Sequence, residues 1–105
     1  MNNKKSQSSI LCFSFNAKVW KYQGAAGWHF VTLPKLVSKK IRSSHHSSEE
    51  GWGRLPTKAT IGKTTWKTAI WFDTKAKSYL LPVKAIVRKN ENLLLESAIN
   101  VKLEF

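Results

Sequence analysis

Between Ile61 and Arg88 the sequence IGKTTWKTAIWFDTKAKSYLLPVKAIVR places a turn, two strand-length runs and a short amphipathic segment end to end with almost no spare loop. Gly62 turns the chain. From Thr64 to Phe72, Trp66, Thr68, Ile70 and Phe72 fall on one face and Thr65, Lys67, Ala69 and Trp71 on the other, the period of two that a strand imposes. Trp71 on the second face predicts that both faces are partly covered. Asp73 to Lys77 reads as a polar turn and Ser78 to Leu81 as a short strand. Pro82 then reads as the start of a helix, with Val83, Ile86 and Val87 at i, i+3 and i+4 and with Lys84 and Arg88 together on its flank.

The same alternation runs through the rest of the chain. Phe13, Phe15, Ala17 and Val19 share a face in a long first strand ending near Tyr22, and Gln23 to Gly27 is a Gly/Ala turn before a second strand, Trp28 to Leu33. Pro34 suits the first turn of a short helix ending near Arg42, with Val37 and Ile41 on its apolar face and the stem of Lys40 beside it. Ser43 to Gly51 reads as a mobile polar loop. Leu55, Thr57, Ala59 and Ile61 alternate in a further strand, whose Pro56 points to an edge or bulge. After a link at Leu93 to Leu95, Ile99, Val101, Leu103 and Phe105 alternate in a closing strand. Six or seven strands and two short helices result. A single-layer sheet this short does not bury five Trp and five Phe, so the pattern predicts a mainly β (α+β) fold closed into a small barrel with those rings in its core.

The 105 residues fit one domain and one core. Residues 1–8 are expected to form a disordered tail and 9–105 the barrel domain. Eighteen Lys and Arg against six Asp and Glu give a net charge of +12. No acid occurs from Phe13 to Ser48, and from Gly51 to Asn90 nine basic residues face only Asp73. Such a surface attracts polyanions, nucleic acid foremost, although solubility accounts for the charge equally well. The lone Cys12 makes no internal disulfide and is expected as a small core residue. No run approaches the length of a membrane span, and Ile10 to Phe15 is short for a secretion signal, so a soluble cytoplasmic protein without membrane contact is expected.

Five blocks carry a resemblance: F-x-A-x-V-W from Phe15 to Trp20; Gly27-Trp28-x-Phe30-Val31-x-Leu33-Pro34; Ile61-Gly62-x-x-x-Trp66-Lys67-Thr68; Tyr79-x-Leu81-Pro82-Val83-Lys84; and Val87-Arg88. In this order they resemble the bacterial domain-of-unknown-function family numbered 1905. Its members occur alone or joined to a bacteriocin-protection domain (YdeI or OmpD-associated), for which this length leaves no room. The resemblance implies a double-split β-barrel, an architecture shared with swapped-hairpin DNA-binding domains, and no established activity. A Gly-Asp pair usually precedes the family's last strand; here Glu96-Ser97 replaces it, which predicts a different turn geometry between Leu93 and Ile99.

From these blocks Trp66, Lys67, Thr68, Tyr79, Lys84 and Arg88 are the candidate ligand-binding residues, cations and hydroxyls beside aromatic walls that suit an anion. The plainer alternative makes Trp66 core, Lys67 a solvated strand residue and Arg88 a cation at a helix C-terminus. Lys35, Lys39 and Arg42, on one helical stripe, are the candidate nucleic-acid patch. His45 and His46 have no third ligand at a recognisable spacing, so no metal is expected. No nucleophile and base pair surrounds His29, and Asp73 has no carboxylate partner, so no catalytic residue and no cofactor is assigned. A non-enzymatic module for an anionic small molecule leads, a nucleic-acid-binding protein is the alternative, and an enzyme using Lys67 or Lys84 is third. The oligomeric state is not encoded in any local pattern.

Overall fold

The computed structural model describes residues 11–45, 49 and 53–105. The expected tail at 1–8, and all of the expected loop except Ser43 to His45 and Glu49, lie outside them. Six strands, β1 (Cys12–Lys21), β2 (His29–Thr32), β3 (Arg54–Ile61), β4 (Thr64–Asp73), β5 (Ser78–Pro82) and β6 (Ala98–Glu104), close an antiparallel barrel in the order β1-β2-β5-β4-β3-β6. Two helices, α1 (Lys35–His45) and α2 (Ala85–Asn90), accompany them.

Alternation decides which side chains go inside. Phe15 and Val19 of β1, Val31 of β2, Leu55, Ala59 and Ile61 of β3, Ile70 of β4, Tyr79 and Leu81 of β5, and Val101 and Leu103 of β6 form one buried cluster. Each buried aliphatic side chain contributes about 1.5–3 kcal/mol, so a one-residue slip of any strand would turn its whole apolar set to water. α1 covers one end of the barrel with Ile41 and Val37, and α2 the other with Val87.

The core is mostly aliphatic, with Phe15 and Tyr79, where tryptophan was expected. Trp52 lies outside the described residues, and none of the other four is fully buried. Trp20 and Trp71 sit at outward positions, and Trp28, directly ahead of β2, is largely exposed. Cys12 is also exposed rather than core, because it shares the outward parity of Ser14 and Asn16.

Both prolines stand just outside the helices they were expected to begin. Pro34 is the residue ahead of α1, its carbonyl accepting the Ser38 N–H at 2.9 Å. Pro82 ends β5 opposite Phe30, and Lys84 precedes α2 with extended backbone. α2 is therefore too short to bury three apolar residues: Val83 and Val87 are buried and Ile86 is exposed. α1 runs to His45, so Ser43 to His45 are helical rather than loop. Its inner face includes Ser38, whose Oγ accepts the Tyr79 N–H at 3.0 Å, whereas Lys40 is exposed. Pro56 lies on β3 beyond the stretch, Lys58 to Ile61, that pairs with β6, so its missing donor falls at a local edge.

Two turns depend on positive φ. Gly62 (φ +59°) joins β3 to β4, and a Cβ there would land on the Glu91 carboxylate, which accepts hydrogen bonds from Lys63 N (3.2 Å) and Thr64 Oγ1 (2.6 Å). Glu96 adopts a left-handed conformation (φ +64°) while its N–H donates to Val19 O at 2.9 Å. A side chain there carries a conformational cost of about 1–2 kcal/mol. Glu96→Gly is expected to raise stability by about 0.5–1 kcal/mol, or about 2–8 °C in Tm, after allowing for the extra unfolded-state entropy of glycine. Gly62→Ala is expected to lower it by about 2–4 kcal/mol, combining φ strain with loss of the Glu91 bonds. Denaturant melts of both variants check the opposite signs.

Candidate functional site

β4 is ten residues long and β5 five. They pair only from Trp71 to Asp73, opposite Leu80 to Ser78. Beyond that point β5 turns away through Val83, whose N–H donates to His29 O at 2.9 Å, and the chain enters α2. The Trp66 to Ala69 segment of β4 is left facing a recess of about 480 Å³. Trp66, Lys67, Thr68, Lys84 and Arg88 all line it, so five of the six candidate ligand residues meet there. Trp66 does two jobs, packing against the core and lining the recess.

Arg88 is the best-positioned cation. Its Nε–H donates to Val83 O at 3.2 Å and its Nη1 contacts His29 Nε2 at 3.3 Å. His29 Nδ1 lies 2.8 Å from Gly27 O. A carbonyl only accepts and a guanidinium only donates, so His29 is the neutral tautomer carrying its proton on Nδ1. Both partners of Arg88 are therefore uncharged, and three of its five N–H groups have no acceptor among the described residues. Arg54, Lys67 and Lys84 line the same recess, and among the described residues no Asp or Glu does. Four of the six acids are used elsewhere: Glu49 pairs with Arg42, Glu104 with Lys58, Glu91 ties down the β3–β4 turn, and Asp73 accepts from Lys75 N at 3.0 Å.

A family described as a domain of unknown function (DUF1905) matches residues 15–103, which span all but the first three residues of β1 and the last residue of β6. The chain belongs to the DUF1905 family. No curated protein matches it. Trp28, His29, Arg54 and Trp71 line the DUF1905 recess and were not among the sequence candidates. The family-like block around Gly27-Trp28 was the available signal for the first two. Arg54 carries none, since only the β3–β4 register, Arg54 opposite Trp71, brings it to the rim.

Tyr79, the sixth candidate, belongs to the other end of this DUF1905 barrel. It has the inward parity of β5 and is fully buried, with its hydroxyl donating to Glu49 and its ring edge-on to Phe72 at 5.1 Å. Arg42 lies over Phe72 at 3.7 Å and pairs with Glu49 at 3.8 Å. The expected nucleic-acid stripe is therefore divided: Lys35 and Lys39 are exposed, while Arg42 is committed to a closing cluster. His45 tilts onto Phe105 at 4.9 Å, and His46 lies outside the described residues. Among the described residues no three of His, Cys, Asp and Glu come together, and no helix is long and apolar enough to cross a membrane.

Burial, then the hydrogen bond to Glu49 and its negative charge, push the Tyr79 phenol well above the usual tyrosine value, with Arg42 offsetting part of the effect. A raised acid pKa favours the protonated fold: the contribution is intact below the ordinary tyrosine value of about 10 and is lost as pH climbs above it, because the unfolded chain ionises first. Stability is expected to fall above about pH 10, and Tyr79→Phe to flatten that fall. The phenolate absorbance that separates wild type from Tyr79→Phe should rise only as the fold opens. Absorbance and circular dichroism followed through the same alkaline titration check this.

Proposed function

We propose that the chain is a non-enzymatic binding module that holds an anionic ligand in the recess around Arg88. The observation that carries this reading is a guanidinium held in place by two neutral acceptors, His29 Nε2 and Val83 O, with Lys67 and Lys84 beside it and no carboxylate among the described lining residues. A structural arginine is normally matched by an acid when its charge is drawn out of water. Here the matching charge is left for a ligand, and the planar fork suits carboxylate or phosphate. The indole of Trp66 supplies an apolar wall, in keeping with pockets that place a few polar groups in a largely apolar lining.

A second reading rests on a separate groove of about 810 Å³ beside α1, where Lys35, Lys39 and Lys77 stand exposed. Three lysines lining one groove neutralise phosphates of a nucleic acid without reading its sequence. The commitment of Arg42 to Glu49 and Phe72 makes this the weaker surface.

Melting curves at low salt with phosphate, pyrophosphate, citrate and nucleotides separate the two. An anion present at about 100 times its Kd stabilises the fold by about 2.7 kcal/mol. That shift is expected to shrink in Lys67→Ala and Lys84→Ala, both exposed, and to persist in Lys35→Ala/Lys39→Ala. Absence of any shift, or equal shifts in all variants, would reject the recess.

A further inference from the structure

A ledge of aromatic side chains lies against the recess on the outside of the barrel. Trp20 of β1, Phe30 of β2, Pro82 of β5 and Trp71 of β4 point outward on successive strands, joined by Tyr22 and Trp28 from the turn between β1 and β2. Tyr22, Trp28 and Trp71 are 51%, 55% and 39% exposed. This is costly surface for a chain that closes its core with aliphatic residues.

The rings are backed as a platform. Trp28 lies nearly parallel to Phe30 (13°, centroids 6.1 Å apart), and Phe30 packs on Trp20 at 5.2 Å. Trp20 is anchored by its Nε1–H, which donates to Thr32 Oγ1 at 2.8 Å. Tyr22 is tied to the same turn by its N–H, which donates to Trp28 O at 2.7 Å. Trp28, Trp71 and Pro82 border both the ledge and the cationic recess, so flat apolar faces and positive charge form one continuous surface.

We propose that this surface binds single-stranded nucleic acid, with phosphates taken by Lys67, Lys84 and Arg88 and unstacked bases laid on Trp28, Trp71 and Tyr22. The proposal rests on the anion reading of the recess and specifies its ligand class. Charge complementarity names the partner: a chain of net charge +12 with one acid, Asp73, on the ledge fits a polyanion that also carries planar faces. A single strand offers both in alternation, stacking on aromatic side chains while a cationic groove follows its backbone. A duplex keeps its base faces stacked within the helix and presents phosphates alone. A free nucleotide carries a single base and leaves the remaining rings uncovered.

The test uses the full chain and a labelled oligothymidylate of about 15 nucleotides, within the reach of a small barrel. A duplex and an abasic strand of equal length, and thymidine monophosphate, complete the set. Single-strand binding is expected to quench tryptophan fluorescence and to weaken steeply with salt. Trp28→Ala and Trp71→Ala are each expected to weaken it about 5- to 100-fold while leaving abasic-strand binding unchanged. Lys67→Ala and Lys84→Ala should weaken both strands. Thermal melts of the tryptophan variants matching wild type would show that folding is not the cause.

Binding of the duplex or abasic strand as tight as that of the single strand overturns the proposal. So does binding that ignores both tryptophan variants yet falls with the lysine variants, a result that leaves the anion recess standing. Loss of every anion's binding removes both readings. Self-association abolished by Trp28→Ala and Trp71→Ala, without oligonucleotide binding, assigns the ledge to a second copy.

Discussion

The recess exists because a five-residue strand runs beside a ten-residue one. β5 stays with β4 for three residue pairs and then leaves at Pro82 and Val83, so the wall opens where β4 carries Trp66 to Ala69. α2 is drawn in by the burial of Val83 and Val87 and brings Arg88 to the opening. Had β5 continued along β4, backbone pairing would have filled the gap and Arg88 would have remained an ordinary surface cation.

The two ends of the barrel solve different problems. At the α1 end, Tyr79, Glu49, Arg42 and Phe72 satisfy one another, so a phenol, a carboxylate and a guanidinium are taken from water together. That arrangement is complete without a ligand. At the α2 side, Arg88 is bonded, among the described residues, only to a neutral imidazole and a carbonyl. The contrast lies in the distribution of acids: Glu49, Asp73, Glu91 and Glu104 each fix a turn or a closing contact, and the described lining of the recess is cationic.

Much of the fold was legible because alternation is a local property. The inward sets of β1, β3 and β6 match their sequence pattern, and Gly62 turns the chain as its position suggests. The proline rule was less secure, since a proline suits both the residue before a helix and the end of a strand; pairing of Pro82 with Phe30 decided between them. Ser38 at the core face and Ile86 in water also departed from simple periodicity. Each follows from a particular neighbour: Tyr79 needs an acceptor for its N–H, and α2 is too short to present a second buried turn. Lys67, Lys84 and Arg88 were recoverable as candidates because they accompany a recognisable block, whereas Tyr79 shared that block and went to the core by strand parity.

The sequence by itself determined the alternation of faces along most strands, the strongly basic balance, and a small barrel as the natural way to bury so many alternating apolar residues. Tertiary structure alone decided which outward residues meet. Arg88 and His29, separated by 59 positions, touch only because β2 lies beside β5 and β5 leads into α2. The tryptophans likewise gather because strand order places β1, β2, β5 and β4 side by side. Neighbourhood across a sheet is set by register between distant segments, which no local period encodes.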